Sequence, residues 1–109
     1  MAGGCGLGAL DAAKEKGAEG IGVDADQAYL GSYILSSALK KVDVAVFDTA
    51  KAVQAGSFQG GTDTVFDVRS GAAGFGKLNA DGEKYKSRLD EVQKKIADGE
   101  ISHIPDTVE

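Results

Sequence analysis

The chain has 109 residues, enough for one domain or part of one, since domains commonly run to about 100–150 residues. Its net charge of -5 and its scattered Lys and Arg argue against a nucleic-acid-binding protein, because phosphate contacts need clustered basic side chains. One cysteine and one histidine exclude an internal disulfide and a Cys/His zinc site. No apolar stretch approaches the roughly 18 residues of a membrane span.

The N-terminal third predicts one helix and one strand. A glycine-rich segment, 1–8, leads into a helix from about Leu7 to Lys16, which Gly17 is placed to end. The apolar run that follows ends in a carboxylate, Asp24, and is typical of a buried parallel strand. The next residues, 24–33, are expected to form a loop.

The middle of the chain predicts a long helix. Ser36 or Ser37 could cap its start and Gly56 could end it. Apolar residues beside its main stripe indicate a helix that is covered on more than one side. The stripe steps by three and four residues through Leu35, Leu39, Val42, Val46, Thr49 and Val53.

The C-terminal half predicts a strand over 64–68, a hairpin that returns through 75–78, and a last helix over 81–99. A short strand or extended tail is expected over 101–104. Together the elements predict an α/β fold with a mostly parallel sheet and a hairpin near the C-terminal half. The predicted sheet has too few strands, because a parallel sheet needs a strand before the first helix.

Two features should meet at the carboxyl edge of the sheet, where open α/β sheets bind ligands. Gly3, Gly4 and Gly6 open the first helix, so their backbone N–H groups would favour an oxygen-rich ligand. Asp24 ends the strand, where a carboxylate can accept paired hydrogen bonds from sugar hydroxyls. Lys40 could reach the same edge. Each has a simpler interpretation, as a frayed terminus, a turn cap or a solvated lysine.

An enzyme remains the alternative function class. Residues 4–9 fit the pattern G-x-G-x-x-A, and Asp24 lies 20 residues after Gly4, as in NAD-type oxidoreductases. That fingerprint requires a strand directly before its first glycine, which residues 1–3 cannot supply. Cys5 could act as a nucleophile only with His103 as its base, and is more simply a small residue in a turn. No nucleophile, base and oxyanion donor converge, and this absence, together with the family resemblance given below, predicts that the chain is not an enzyme.

Six segments form an ordered set of motifs. Residues 2–8 read AGGCGLG, residues 21–27 read IGVDADQ, and residues 36–46 read SSALKKVDVAV. The set resembles the basic membrane protein family of ABC-transporter solute-binding proteins, which includes purine nucleoside receptors. Cys5 stands where that family usually has Thr. The other similar segments are 12–17, 56–61 and 99–105, so the resemblance covers essentially the whole chain.

The resemblance implies a two-lobed type I periplasmic-binding-protein fold with the ligand between the lobes. Residues 1–109 would then form a single partial domain, a partial three-layer segment of the C-terminal lobe. Asp24 would take ribose hydroxyls with the help of Lys40. The ligand would be a nucleoside, purine nucleoside favoured, or a related sugar, with no metal or cofactor. The implied ligand-binding residues are Asp24, Asp26, Lys40, Gly3, Gly4 and Gly6.

The same resemblance implies an extracytoplasmic parent protein, a membrane-anchored lipoprotein that delivers its ligand to an ABC transporter permease. Met1 leads into small residues without the basic and apolar regions of a secretory signal, so the chain as written is expected to stay cytoplasmic. An open sheet edge and a partly uncovered apolar helix predict homo-oligomers. A self-associating structural fragment without ligand binding is a further alternative.

Overall fold

The computed structural model describes residues 5–104 and leaves residues 1–4 and 105–109 undescribed. Within that part the chain forms an α/β fold, as predicted. In chain order the elements are α1 (Gly6–Glu15), β1 (Gly20–Asp24), a 3-10 turn (Ala28–Leu30), β2 (Ile34–Lys40), α2 (Val42–Gln54), β3 (Ala73–Phe75), a second 3-10 turn (Glu83–Tyr85) and α3 (Lys86–Ala97).

The sheet has the strand order β1-β2-β3, with β2 in the centre. β1 runs parallel to β2, and Asp24 lies opposite Leu39 in the register. β3 runs antiparallel to β2, and Ala73 lies opposite Lys40. The connection from β1 to β2 contains only a 3-10 turn and no α-helix. The carboxyl ends of β1 and β2 therefore lie side by side at one edge of the sheet.

The predicted helix ends are confirmed at the three glycines expected to stop them. Gly17, Gly56 and Gly99 all have positive φ, at 67°, 69° and 79°. At the end of α2 the N–H of Gly56 donates to Val53 O and the N–H of Ser57 donates to Ala52 O. This pattern satisfies the last carbonyls of a helix and needs a left-handed residue, which glycine adopts without a Cβ clash.

The first part of the predicted long helix is wrong, because residues 34–40 form the central strand β2. Leu35 and Leu39 are four residues apart, and that spacing places two side chains on one face of either a helix or a strand. Pairing with both β1 and β3 decides for the strand. The regular strand conformation ends before Lys41, which has ψ 79°, and α2 begins at the next residue.

The predicted strand over 64–68 and its hairpin are also wrong, because residues 63–67 have no regular structure. Val65 is 79% exposed. An alternating pattern becomes a strand only where it pairs with another strand, and the described sheet contains β1, β2 and β3 but not residues 64–68. The antiparallel strand of the C-terminal half is β3. It follows α2 in the chain and pairs directly with β2. Residues 101–104 form no strand, and Pro105 lies outside the described residues.

The apolar core of the described residues is small, and consists of Leu10, Ile34, Ala72 and Leu78. Leu10 of α1 packs on β1 at Gly20, where a Cβ would lie 2.6 Å from the Leu10 Cδ2 atom. Neither α2 nor α3 buries a residue. The radius of gyration is 16.5 Å, against about 13 Å for a compact domain of this length. Much apolar surface therefore stays uncovered.

Candidate ligand-binding site

Asp24 and Lys40 come together at the carboxyl edge of the sheet. Asp24 ends β1 and Lys40 ends β2, and because the two strands are parallel their last residues become neighbours. The Nζ atom of Lys40 lies 3.3 Å from Oδ1 of Asp24, and the side chains are 70% and 62% exposed. An ion pair this exposed contributes at most about 1 kcal/mol to stability. Its charged atoms are therefore open to a ligand.

These two residues line a groove between the loop after β1 and the start of α2. The groove has a volume of about 420 Å³, within the range of small-molecule sites. Aspartates and lysines are among its lining residues, and their carboxylates can accept hydrogen bonds while their ammonium groups can donate them, as ligand hydroxyls require. The lining residues are Asp24, Ala25, Asp26, Leu39, Lys40, Lys41, Val42 and Asp43.

Asp24 has a left-handed backbone, with φ 72°. Among residues other than glycine, aspartate and asparagine tolerate this conformation best, because their short polar side chains can hydrogen-bond locally. The N–H of Ala25 donates to Val23 O at 3.1 Å, which closes a tight turn directly at Asp24. The turn ends the strand and leaves the Asp24 carboxylate beside Lys40.

Asp26 has a different environment from Asp24. Its Oδ2 accepts a hydrogen bond from the N–H of Lys77 at 3.0 Å, and its Oδ1 accepts one from the N–H of Ala28 at 3.1 Å. The Lys77 bond, followed by the Ala28 bond, lowers the pKa of Asp26 from its ordinary value. Both carboxylate oxygens thus have partners within the chain. Asp26 lines the groove, but it also ties the loop after β1 to the segment after β3.

The glycines of the predicted site are not brought to this groove. Gly3 and Gly4 lie outside the described residues. Gly6 is the first residue of α1, and the groove lining described above contains no residue of that helix. His103 lines a separate groove with Phe66 and Ile104, while Cys5 is exposed at the start of α1.

Sequence reasoning missed three residues that contact the loop of Asp24 from inside the fold. They are Gly22, Gln27 and Ser37. Ser37 is 1% exposed, and its hydroxyl accepts the N–H of Gln27 at 2.9 Å. The side chain of Gln27 returns to β1, where its Oε1 accepts the N–H of Val23 at 2.9 Å. The available signal was the motif itself, because Gly22 and Gln27 flank Asp24 in the run 21–27.

Two curated proteins are similar in sequence to the chain. The "ABC transporter nucleoside-binding protein BmpA" of Lactococcus lactis subsp. cremoris (strain MG1363) is 35% identical over 92 residues, which are 75% of this chain and 26% of that protein. The "CD4+ T-cell-stimulating antigen" of Listeria monocytogenes serovar 1/2a is 34% identical over 92 residues, 74% of this chain and 26% of that protein. The chain therefore spans about a quarter of the length of these relatives.

Two solved structures have a similar fold. A "Transcriptional Activator of comK gene from Bacillus halodurans" matches with a TM-score of 0.77 and 25% identity, over 87% of this chain and 34% of that one. A solute-binding protein of an ABC transporter system from Aeropyrum pernix K1 matches with a TM-score of 0.62 and 24% identity, over 93% of this chain and 37% of that one. The second likeness indicates a partial lobe of a periplasmic-binding-protein fold, as the sequence predicted.

The family model for "ABC transporter substrate-binding protein PnrA-like" matches residues 1–108, almost the whole chain. It covers the strand ends that carry Asp24 and Lys40 and the motif that surrounds them. The chain belongs to this family, the Bmp family of ABC transporter substrate-binding proteins.

Proposed function

We propose that this chain supplies one wall of the ligand cleft of an ABC importer's solute-binding protein, with a nucleoside as its ligand. A purine nucleoside is favoured and a related sugar is the neighbouring possibility. The observation that carries the proposal is the exposed pair of Asp24 and Lys40 at the carboxyl edge of two parallel strands. A nucleoside-binding relative that is 35% identical supports the ligand class.

The chemistry of the pair suits the ribose. The two oxygens of the Asp24 carboxylate can accept hydrogen bonds from two neighbouring hydroxyls, and the Lys40 ammonium group can donate to a hydroxyl oxygen. A few such polar groups in a small site fix the orientation of a ligand. The lining residues of the groove include no aromatic side chain. Contacts that stack the base would therefore come from outside this groove.

The wider role follows from the family. We infer that the whole protein acts outside the cytoplasm, passes its ligand to an ABC permease and performs no catalysis. We also propose that the chain is a single partial domain and that it lies in the C-terminal lobe of a two-lobed protein. Among the described residues, no helix is both long and apolar enough to cross a membrane.

Self-association is a second proposed property. Val46 and Phe47 of α2 are 63% and 67% exposed, although a surface helix usually buries its apolar stripe. β1 has no strand on its outer side within the described part of the chain. Apolar helix surface and a free strand edge both favour pairing with another copy.

The ligand proposal is tested by NMR titration of the ¹⁵N-labelled chain with inosine, adenosine, ribose and NAD, each at millimolar concentration to detect weak binding. Inosine should shift the amide signals of 24–26 and 39–43. The substitution Asp24→Ala should abolish these shifts. Asp11→Ala, which removes an exposed carboxylate on α1, should leave them unchanged. Absence of shifts at these positions with inosine would contradict the nucleoside proposal, and shifts with NAD alone would favour the oxidoreductase alternative.

A further inference from the structure

A network of hydrogen bonds that begins at Ser37 contacts residues on both sides of Asp24. The hydroxyl of Ser37 is buried in the middle of β2, and it accepts the N–H of Gln27 at 2.9 Å. It also donates to Oδ1 of Asp26 over a longer distance of 3.5 Å, which makes this second bond the weaker of the two. One side chain of the central strand thus contacts two consecutive residues of the loop that carries Asp24.

The side chain of Gln27 joins the end of the Asp24 loop back to its start. Its Oε1 accepts the N–H of Val23, the residue directly before Asp24. The space for this return is provided by Gly22, where a Cβ would lie 2.8 Å from Gln27 Cβ and 2.5 Å from Ser37 Oγ. Any side chain at position 22 would displace the Gln27 side chain or the Ser37 hydroxyl.

A third segment joins the network through Asp26. The N–H of Lys77 donates to its Oδ2, and Gly76 lies so near that a Cβ there would be 3.0 Å from the carboxylate. The N–H of Gly76 itself donates to Ser37 O at 2.8 Å. The loop after β1, the centre of β2 and the segment after β3 therefore meet at one point.

We propose that Asp26, Gln27 and Ser37, here termed the Ser37 network, form a positioning device for Asp24. By fixing Val23 on one side of Asp24 and residues 26 and 27 on the other, the network keeps φ of Asp24 positive and its carboxylate facing Lys40. It thereby makes the site selective for ligands with two adjacent hydroxyls, which need both carboxylate oxygens in a fixed orientation. This selectivity rests on the proposed nucleoside-binding function, whereas the positioning of Asp24 does not.

The positioning is tested without any ligand by comparing Ser37→Ala with Ser36→Ala. Ser36 is the matched control, because it is the adjacent buried serine of β2 and its hydroxyl donates to Gly76 O at 3.2 Å and to none of Asp26, Gln27 and Ser37. In Ser37→Ala, the ³J(HN–Hα) coupling and chemical shifts of Asp24 should leave the values of a positive φ, and the Gln27 amide should exchange faster with solvent. In Ser36→Ala the Asp24 signals should keep their wild-type values.

A second variant distinguishes loss of the positioning role from general loss of folding in Ser37→Ala. Gln27→Met keeps the length of the side chain and removes the acceptor for Val23, so it should give the same change at Asp24 while the β2–β3 amides keep their protection. If Asp24 retains its wild-type coupling and shifts in both Ser37→Ala and Gln27→Met, the positioning role is overturned.

The selectivity is tested with inosine and 2′,3′-dideoxyinosine, which lacks both hydroxyls. Ser37→Ala should weaken inosine binding about tenfold, as expected for one lost hydrogen-bonded contact, and leave the dideoxy analogue nearly unchanged. Equal weakening of both ligands would overturn the selectivity. If the wild-type chain binds neither ligand, the nucleoside proposal fails and the selectivity with it, while the Asp24 signals still decide the positioning role.

Discussion

Asp24 and Asp26 stand two residues apart in the same motif, yet their carboxylates have different surroundings. Asp24 contacts the exposed ammonium group of Lys40, whereas Asp26 accepts hydrogen bonds from two backbone N–H groups. Backbone donors stabilise the charged form of a carboxylate, and for Asp26 they lower the pKa. A mobile ligand can compete with an exposed lysine far more easily than with fixed backbone donors. At the residue scale, Asp24 is therefore the better candidate for ligand contact.

Acid should weaken the fold partly through Asp26. Because its pKa is lower in the folded chain than its ordinary value, ionised Asp26 stabilises the fold above about pH 3.9, the ordinary aspartate pKa. This stabilisation is lost as the pH falls through the folded-state pKa. We expect the urea midpoint of the wild type to fall toward that of Asp26→Asn as the pH decreases from 7 to acid values.

The comparison with Asp26→Asn is needed because two other carboxyl groups behave similarly. Hydrogen bonds from Arg69 to Asp67 and from Lys95 to Glu91 also lower the pKa of those groups. Both are present in the variant, so the difference between the two curves reports Asp26. A difference that stays constant down to the lowest pH would contradict the prediction.

At the element scale, the helix ends could be predicted from a few neighbouring residues, whereas the strand pairing could not. Gly17, Gly56 and Gly99 each end a helix with positive φ, and each was identified from the sequence. A helix end depends on a few consecutive residues, so its signal is local. β2 exists because β1 and β3 pair with it. Nothing within residues 34–40 separates that outcome from a helix, and the sequence pattern was therefore misassigned.

Two glycine substitutions should change stability in opposite directions. Gly56→Ala places a Cβ on a residue with φ 69°, and the left-handed strain should cost about 1–2 kcal/mol. Gly8→Ala lies inside α1, where a Cβ would meet nothing within 4 Å, and it should stabilise by about 0.5 kcal/mol through higher helix propensity. Urea unfolding of both variants measures the difference. Equal effects of the two substitutions would contradict the assigned backbone conformations.

At the scale of the whole molecule, the described part of the chain is extended and incompletely covered. Its principal extents are 51 × 31 × 31 Å, and only four apolar residues are buried in it. Stability of a small domain comes mainly from buried apolar area. Further burial, by another part of a longer protein or by a second copy, would stabilise it. The chain spans only about a quarter of the length of its curated relatives.

The association proposal predicts a concentration-dependent oligomer of the isolated chain. Phe47→Lys places a charge on the exposed apolar face of α2 and should shift the chain to monomer in sedimentation velocity and native mass spectrometry. Gln54→Lys, at an exposed polar position at the end of the same helix, is the control and should leave the oligomer intact. A monomeric wild-type chain would contradict self-association. An oligomer that survives Phe47→Lys but not Ile21→Lys would move the contact from α2 to β1.

The sequence by itself determined the α/β class, the three helix ends, the strand that ends at Asp24, and the family. These features depend on short-range periodicity, on glycine conformation and on the order of motifs along the chain. Only the tertiary structure decided that 34–40 is a strand, that β3 and not 64–68 completes the sheet, and that Lys40 reaches Asp24 from the end of a strand and not from a helix. It also joins Asp26, Gln27 and Ser37 by hydrogen bonds. Hydrogen bonds between residues 10 to 51 positions apart make these decisions, and local sequence patterns do not encode such partners.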